Sequence, residues 1–358
     1  MTKNDKGDTP GPGRRALLAA GLLGAVALGV PVARAVAARP VRVFSTTDQS
    51  VVQPLIGAFE RAHRDLRVDY VQLGSVELSE RFLADGGRSA DVTWSSAMDL
   101  QIKLVNDGHA ARHESPHAAQ LPRWAVWKHE AYATTYEPVG LAYHRGLWAG
   151  AELPRTHEAL AALLLSDPAR FRGRVATYDI TRAGLGYLLA AHDTMVSRQA
   201  WDLMRALAAS RASLHADTQS MLDSVAAGHT LLAYNVLGTY AEAFARKQPD
   251  LAVMYPSDYT LIASRVAFVA RQAPNPDGAR RWLDHLLSPA GQASLGDDCG
   301  LYPVRSDVAS ARNGAALQRQ LGAAARPIAL GPGLLAPLDR SRQAAMLKRW
   351  RDMFAAAG

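Results

Sequence analysis

The feature that most constrains this chain is a repeated alternation of two residue patterns. Val41-Arg42-Val43-Phe44 is a β-type run, and Ser45-Thr46-Thr47-Asp48-Gln49-Ser50 follows, rich in residues that cap helices. Val51, Val52, Leu55, Ile56, Phe59 and Ala62 then recur at helical spacing, with Pro54 tolerable only in the first turn. Residues 66–71 read as the next strand, a helix covers 78–83, residues 91–94 make a third strand, and a helix runs over about 98–105 to Gly108. That β-α-β-α-β-α order implies a parallel sheet with right-handed crossovers. The second half repeats the style. Strands are expected at 175–178, 231–234, 251–255 and 265–270. Helices are expected from Gly184, at 199–209 and 218–227, after the cap Ser288-Pro289, and at 340–356 behind Asp339.

A length of 358 residues suits two such halves, and 48% hydrophobic residues supply two cores. Ligands in open α/β sheets sit beyond the carboxyl ends of the strands. Here those ends carry Ser45, Thr46, Thr47 and Asp48, then Ser95 and Ser96, then the stretch from Tyr178 through Thr181 and Arg182 to Gly184, and Asn235. Most are short polar residues at helix starts, where backbone N–H groups and the helix dipole favour anions. Ser75, just after the second strand, and Tyr259 are further candidates, and Arg182 offers a fork-shaped guanidinium. A cleft between two lobes would suit a small, oxygen-rich, anionic ligand. Each candidate also has a plainer reading: caps for Ser45 to Asp48 and for Ser95-Ser96, a surface pair with Asp179 for Arg182, a turn for Asn235, and packing for Tyr178 and Tyr259.

The first 38 residues read as an export signal. A polar stretch ends in Gly13-Arg14-Arg15, residues 16–33 carry no charge, and Ala33-Arg34-Ala35 is a small-x-small cleavage pattern. The paired arginines before a Leu/Ala run are similar to a twin-arginine signal, with the mature chain starting near residue 36 or 39. An uncleaved anchor is the other reading, although some 18 apolar residues are at the short limit of a membrane span. The net charge of +7 draws in part on this segment, and no block of five like charges occurs, so a nucleic-acid partner is not expected. The lone Cys299 excludes an internal disulfide and reads as buried. His109, His113 and His117 recur every fourth residue, but Gly108 and Pro116 break the helix a metal stripe would need. No nucleophile elbow, His-Glu-x-x-His, phosphate loop or complete Gly-x-Gly-x-x-Gly occurs, and no enzyme, cofactor or metal is expected. Only Asp48 or Asp179 would offer a base if the chain acted on a phosphorylated molecule.

Residues 41–71, 90–108, 138–144, 172–189, 231–241, 256–270 and 278–307 together resemble the bacterial periplasmic solute-binding proteins of ABC importers. The group is the one containing ferric-ion-binding and phosphorylated-sugar-binding members. The resemblance implies an α/β, two-lobe periplasmic-binding-protein fold with two mixed or parallel sheets flanked by helices and a ligand cleft between lobes. It implies a first lobe of residues 39–138 resuming at 261–315, a second lobe of 139–260, and C-terminal helices over 316–358. The chain crossings are expected near 137–142 and 259–265. In the iron binders a histidine, a glutamate and two adjacent tyrosines hold the metal. Those positions fall here on Asp48, Ser96 and Val236-Leu237, so the iron set is lost, while the anion loop matches Thr181-Arg182-Ala183-Gly184. The implied role is capture of an organic phosphate, sugar phosphate or carboxylate by hinge closure, as a monomer working with an inner-membrane permease. Sensing for a two-component system and ferric-ion binding are the alternatives.

Overall fold

The computed structural model describes residues 39–148 and 152–357. Residues 1–38, where the export signal is expected, lie outside the described residues. No helix among the described residues is long and apolar enough to cross a membrane.

In chain order the strands are β1 (Val41–Ser45), β2 (Val68–Gln72), β3 (Val92–Ser95), β4 (Val126–Trp127), β5 (Ala131–Ala133) and β6 (Glu137–His144). They continue as β7 (Val175–Tyr178), β8 (Ser213–His215), β9 (Leu232–Leu237), β10 (Leu251–Met254), β11 (Thr260–Ala263), β12 (Val266–Val269) and β13 (Ala325–Pro327). They form two mixed sheets. The first has the order β2-β1-β3-β12-β5-β4, and the second β13-β11-β6-β9-β7-β8, with β10 beside β6. β1, β2 and β3 pair in parallel, as the alternation requires, and β12 closes against β3 antiparallel.

The sheets define two lobes, and the chain passes between them in two short steps, at 134–136 between β5 and β6 and at 264–265 between β11 and β12, and again over the longer stretch from β12 to β13. The first step falls just ahead of the expected 137–142, because Glu137 already belongs to the second sheet. The second falls inside the expected window, but β11 still pairs with β6, so the second lobe runs to residue 263 rather than 260. The segment 316–358 is not helical throughout: β13 pairs in parallel with β11 and extends the second sheet. Its last helix, Arg340–Ala356, begins at Asp339, whose carboxylate accepts from the Ser341 and Arg342 N–H groups, as its sequence indicates. That helix lies on the helix Ala200–Ala209, with the Arg349 guanidinium 3.9 Å from the centre of the Trp201 ring.

Each lobe has its own core. Phe44, Phe59, Phe82, Trp94, Phe268 and Trp282 are fully buried in the first. Leu160, Phe171, Leu203, Leu207 and Tyr234 fill the second. The Trp94 indole donates to Thr134 Oγ1 at 2.9 Å, so the first crossing is anchored to the floor of the first lobe.

Candidate functional site

A cleft of about 450 Å³ opens between the lobes, within the size range of small-molecule sites. Thr46, Asp48, Gln72, Gly74, Ser75, Glu77 and Ser96 line it from the first lobe. Tyr178, Asp217, Thr218, Leu237 and Tyr240 line it from the second, and Arg265 from the second crossing. Six helices begin at or beside these residues: Gln49–Ala62, Ser75–Ala84, Met98–Asn106, Gly184–Val196, Thr218–Ala226 and Gly238–Ala245. Four of the six (the first, third, fourth and sixth) have no side-chain cap among the described residues. Some of their first-turn N–H groups are taken by side chains, that of Gln49 by Gln72 Oε1 at 3.0 Å, that of Leu100 by Asp99 Oδ1 at 2.9 Å and that of Gly184 by Ser75 Oγ at 3.0 Å, and the others are left for water or ligand. Of the carboxylates, Glu77 closes a capping box on the Gly74 N–H at 3.3 Å, Asp217 caps Ser220 N at 2.8 Å, and Asp48 takes the Gln72 amide at 2.7 Å.

The sequence candidates divide into three groups. Thr46, Asp48, Ser75, Ser96 and Tyr178 reach the cleft. Ser45, Thr47 and Ser95 are buried directly behind it and fix the backbone. Ser45 Oγ accepts from Thr47 N at 3.1 Å, Ser95 Oγ accepts from Ala97 N at 3.2 Å, and Thr46 Oγ1 accepts from Ser96 N at 3.2 Å. Gly184 meets the cleft edge, where its N–H donates across the lobes to Ser75 Oγ at 3.0 Å. A Cβ at Gly184 would stand 2.8 Å from that oxygen and 2.9 Å from Leu100 Cδ1, so a larger residue would have to displace those side chains.

The others do not face the cleft. Thr181 donates to Asp179 in a local turn, and Arg182 is exposed, outside the cleft lining, with no Asp179 side-chain pairing. Asn235 is not a strand end. It is the extra residue of a bulge inside β9, opposite Gly140 and Leu141, with a φ of 64° in the left-handed region that asparagine tolerates. Its amide donates to Asp193 Oδ2 at 2.9 Å. Tyr234 donates to the same oxygen at 2.9 Å and Tyr259 to Oδ1 at 3.1 Å, while the His157 ring stacks on Tyr259 at 3.9 Å. Asn235 and Tyr259, expected at the ligand, thus belong to a buried network of the second lobe and are not part of the cleft lining.

Sequence reading missed Gln72, Glu77, Asp217, Thr218, Tyr240 and Arg265. Asp217-Thr218 carried a readable signal, a capping pair ahead of a helix that closes on Gly228. Arg265 carried none, because it sits in an apolar run read only as a strand. Its guanidinium is 1% exposed and lies against Glu137, itself fully buried, with Nε 2.9 Å from Oε1. Thr47 Oγ1 accepts from its NH1 at 2.8 Å, and the Tyr240 ring centre is 5.1 Å from it. Burial, the largest single influence, works against the Arg265 charge, but the Glu137 carboxylate and, after it, Tyr240, Tyr70 and Asp48 together outweigh it and leave its pKa raised. Burial pushes the Tyr240 phenol up to about 12, so it is a neutral hydroxyl; it accepts from Asp48 N–H at 3.3 Å.

Beyond the cleft, His113 pairs with Asp284 at 2.8 Å, and His109 sets its ring edge-on to Phe82. Among the described residues no group of three or more His, Cys, Asp or Glu side chains is arranged to hold a metal ion. Burial pushes the Cys299 thiol up to about 12. A larger groove of about 1550 Å³ lies on the other side of the helix Gly238–Ala245. There Glu242 accepts from Tyr302 at 2.9 Å and pairs with Arg312, a second link between the lobes. None of the six helix starts except the first turn of Gln49–Ala62 reaches that groove, so the smaller cleft is the candidate site.

A sequence profile described as bacterial extracellular solute-binding protein matches residues 88–321. The substrate binding protein of an ABC transporter from Agrobacterium tumefaciens is 32% identical, with a TM-score of 0.85 over 90% of this chain and 96% of that one. The periplasmic binding protein AfuA from Actinobacillus pleuropneumoniae, solved with exogenous fructose-6-phosphate bound, aligns at a TM-score of 0.72 and 14% identity, covering 88% of this chain and 98% of its own. Iron-bound HitA from Pseudomonas aeruginosa aligns at 0.66 and 19%, covering 88% and 99%. At these identities the last two show the shared fold alone. No curated protein gives a significant match.

Proposed function

The chain belongs to the bacterial extracellular solute-binding proteins of ABC transporters, and we propose that it captures a small oxyanionic solute in the interlobe cleft by hinge closure. Members of such importers bind small ligands and work with a membrane permease, and the family implies a periplasmic location. The finer reading is an organic phosphate, a sugar phosphate or a carboxylate, held by an exported, monomeric protein whose signal is cleaved. The observation that carries it is the meeting of six helix starts on one cleft, four of them without a side-chain cap. Free N–H groups and dipole ends favour an anion there. Asp48, Glu77 and Asp217 at the rim would accept from ligand hydroxyls, which favours an anion that also carries a polyol. The fructose-6-phosphate complex of the relative AfuA is such a case.

Closure follows from where the contacts lie. The two crossings are short, and the bonds Gly184 to Ser75 and Asp48 to Tyr240 join the lobes at the cleft. A ligand touching both walls gains its full set of contacts only when they meet. The permease supplies passage; this chain supplies capture. Ferric iron is the weaker reading: Val236 and Leu237 stand where the tyrosine pair would be, and the cleft phenols Tyr178 and Tyr240 have their pKa values raised by burial. A thermal-shift screen of the purified protein against ferric iron with and without phosphate, sugar phosphates and carboxylates tests the reading. A melting-point rise with an organic oxyanion is expected, since a ligand of the folded form stabilises it. A rise with ferric iron alone overturns it.

A further inference from the structure

We propose that Arg265 is the specificity-determining residue of the cleft, holding the anionic group of the ligand with guanidinium N–H donors that the protein itself leaves uncommitted. The inference rests on the oxyanion reading of the cleft and names the group that reads it. A guanidinium carries five N–H donors in a fixed fork. In Arg265, NH1 donates once to Thr47 Oγ1 at 2.8 Å, NH2 donates once to Glu137 Oε2 at 3.4 Å, and Nε faces Glu137 Oε1 at 2.9 Å. One N–H on each terminal nitrogen is left without a protein acceptor among the described residues. Both belong to a side chain that is 1% exposed and lines the cleft. Buried donors without acceptors are costly, and two neighbouring N–H groups match the paired oxygens of a carboxylate or phosphate.

The surroundings fix that fork. Glu137 receives Thr135 Oγ1 at 2.8 Å and Thr239 Oγ1 at 2.7 Å as well as Arg265, so it is fully engaged and cannot swing away. The Tyr240 ring lies over the guanidinium and limits its rotation. Arg265 stands in the second crossing, Thr135 in the first, and Glu137 immediately after the first. Thr47 comes from the first lobe and Thr239 from the second. An anion on Arg265 therefore pulls on the point where both crossings and both lobes meet, so recognition and closure share one joint.

The experiment is a titration of the full protein and two variants with inorganic phosphate, fructose 6-phosphate and citrate, read by calorimetry and by melting point. Arg265→Lys keeps the charge and loses the fork; the probe that binds best should weaken at least thirtyfold. Glu137→Gln keeps the shape and removes the opposing charge; the same probe should tighten several-fold even though the protein itself loses stability. The second variant decides the matter if the first fails to fold, because a purely structural Arg265 gives no reason for tighter binding. Unchanged affinity in Arg265→Lys, or weaker binding in Glu137→Gln, overturns the assignment while leaving the cleft reading intact. Absence of any shift in the unmodified protein overturns the oxyanion reading, and this assignment with it.

Discussion

The two walls of the cleft are built on the same principle and end differently. In the first lobe, β1 and β3 run in parallel and stop at the cleft, so Thr46, Asp48 and Ser96 present themselves as the chain turns into helices. In the second lobe, β7 ends the same way at Tyr178, but β9 does not. β9 pairs antiparallel with β6, carries a bulge at Asn235 and runs on through Val236 and Leu237 before its helix starts. The bulge turns Asn235 toward Asp193, where Tyr234 and Tyr259 also converge. A polar residue near the end of a strand thus reaches the cleft only where the strand ends in register. Where the register shifts, the same residue type is consumed by the core.

The largest test of that contrast is Asp193→Ala, which strips three buried donors of their acceptor. Urea unfolding should show a loss of about 3 kcal/mol or more; a loss below about 1 would mean that this network does not hold the end of β9. Next comes Asp99, in the first turn of the helix behind Ser96, where burial pushes its carboxyl from the ordinary 3.8 up to about 7. The folded state then holds the proton more tightly than the unfolded one, so stability falls as pH rises from about 4 to about 7. Asp99→Asn should be more stable than the unmodified protein at pH 8, by on the order of 4 kcal/mol, and show no gain below pH 4. A pH-independent difference would remove the carboxyl from the account. Third, Thr46→Val should weaken oxyanion binding about fivefold through one lost hydroxyl, whereas Asn235→Gly, which keeps the left-handed backbone, should change it less than threefold. Equal losses in the two would erase the distinction between the walls. The smallest effect belongs to Arg182→Ala: calorimetry should find affinity within about twofold, as fits an exposed side chain outside the cleft lining.

Much of the fold was readable because it rests on local signals. Strand and helix periodicity located β1, β3, β7 and the helices that follow them, and the caps Ser288 and Asp339 mark real helix starts. β5, β6, β11 and β13 were harder to see, since their residues are pinned by partners far away in sequence rather than by alternation. β13 pairs with β11 across some 65 intervening positions. The cleft was half legible for the same reason. Its first wall follows from short polar residues at helix starts. Tyr240 enters from within a helix, Gln72 from the last residue of β2, and Arg265 from an apolar run.

By itself, then, the sequence determined the strand–helix alternation and the polar strand ends of the first lobe, because each depends on residues within a turn or two of one another. Tertiary structure alone decided that Asn235 and Tyr259 face Asp193, that Arg182 stays in solvent, and that Arg265 closes on Glu137 at the joint of the crossings. Those outcomes balance burial, register and charge between segments more than forty residues apart, and no local pattern encodes that balance.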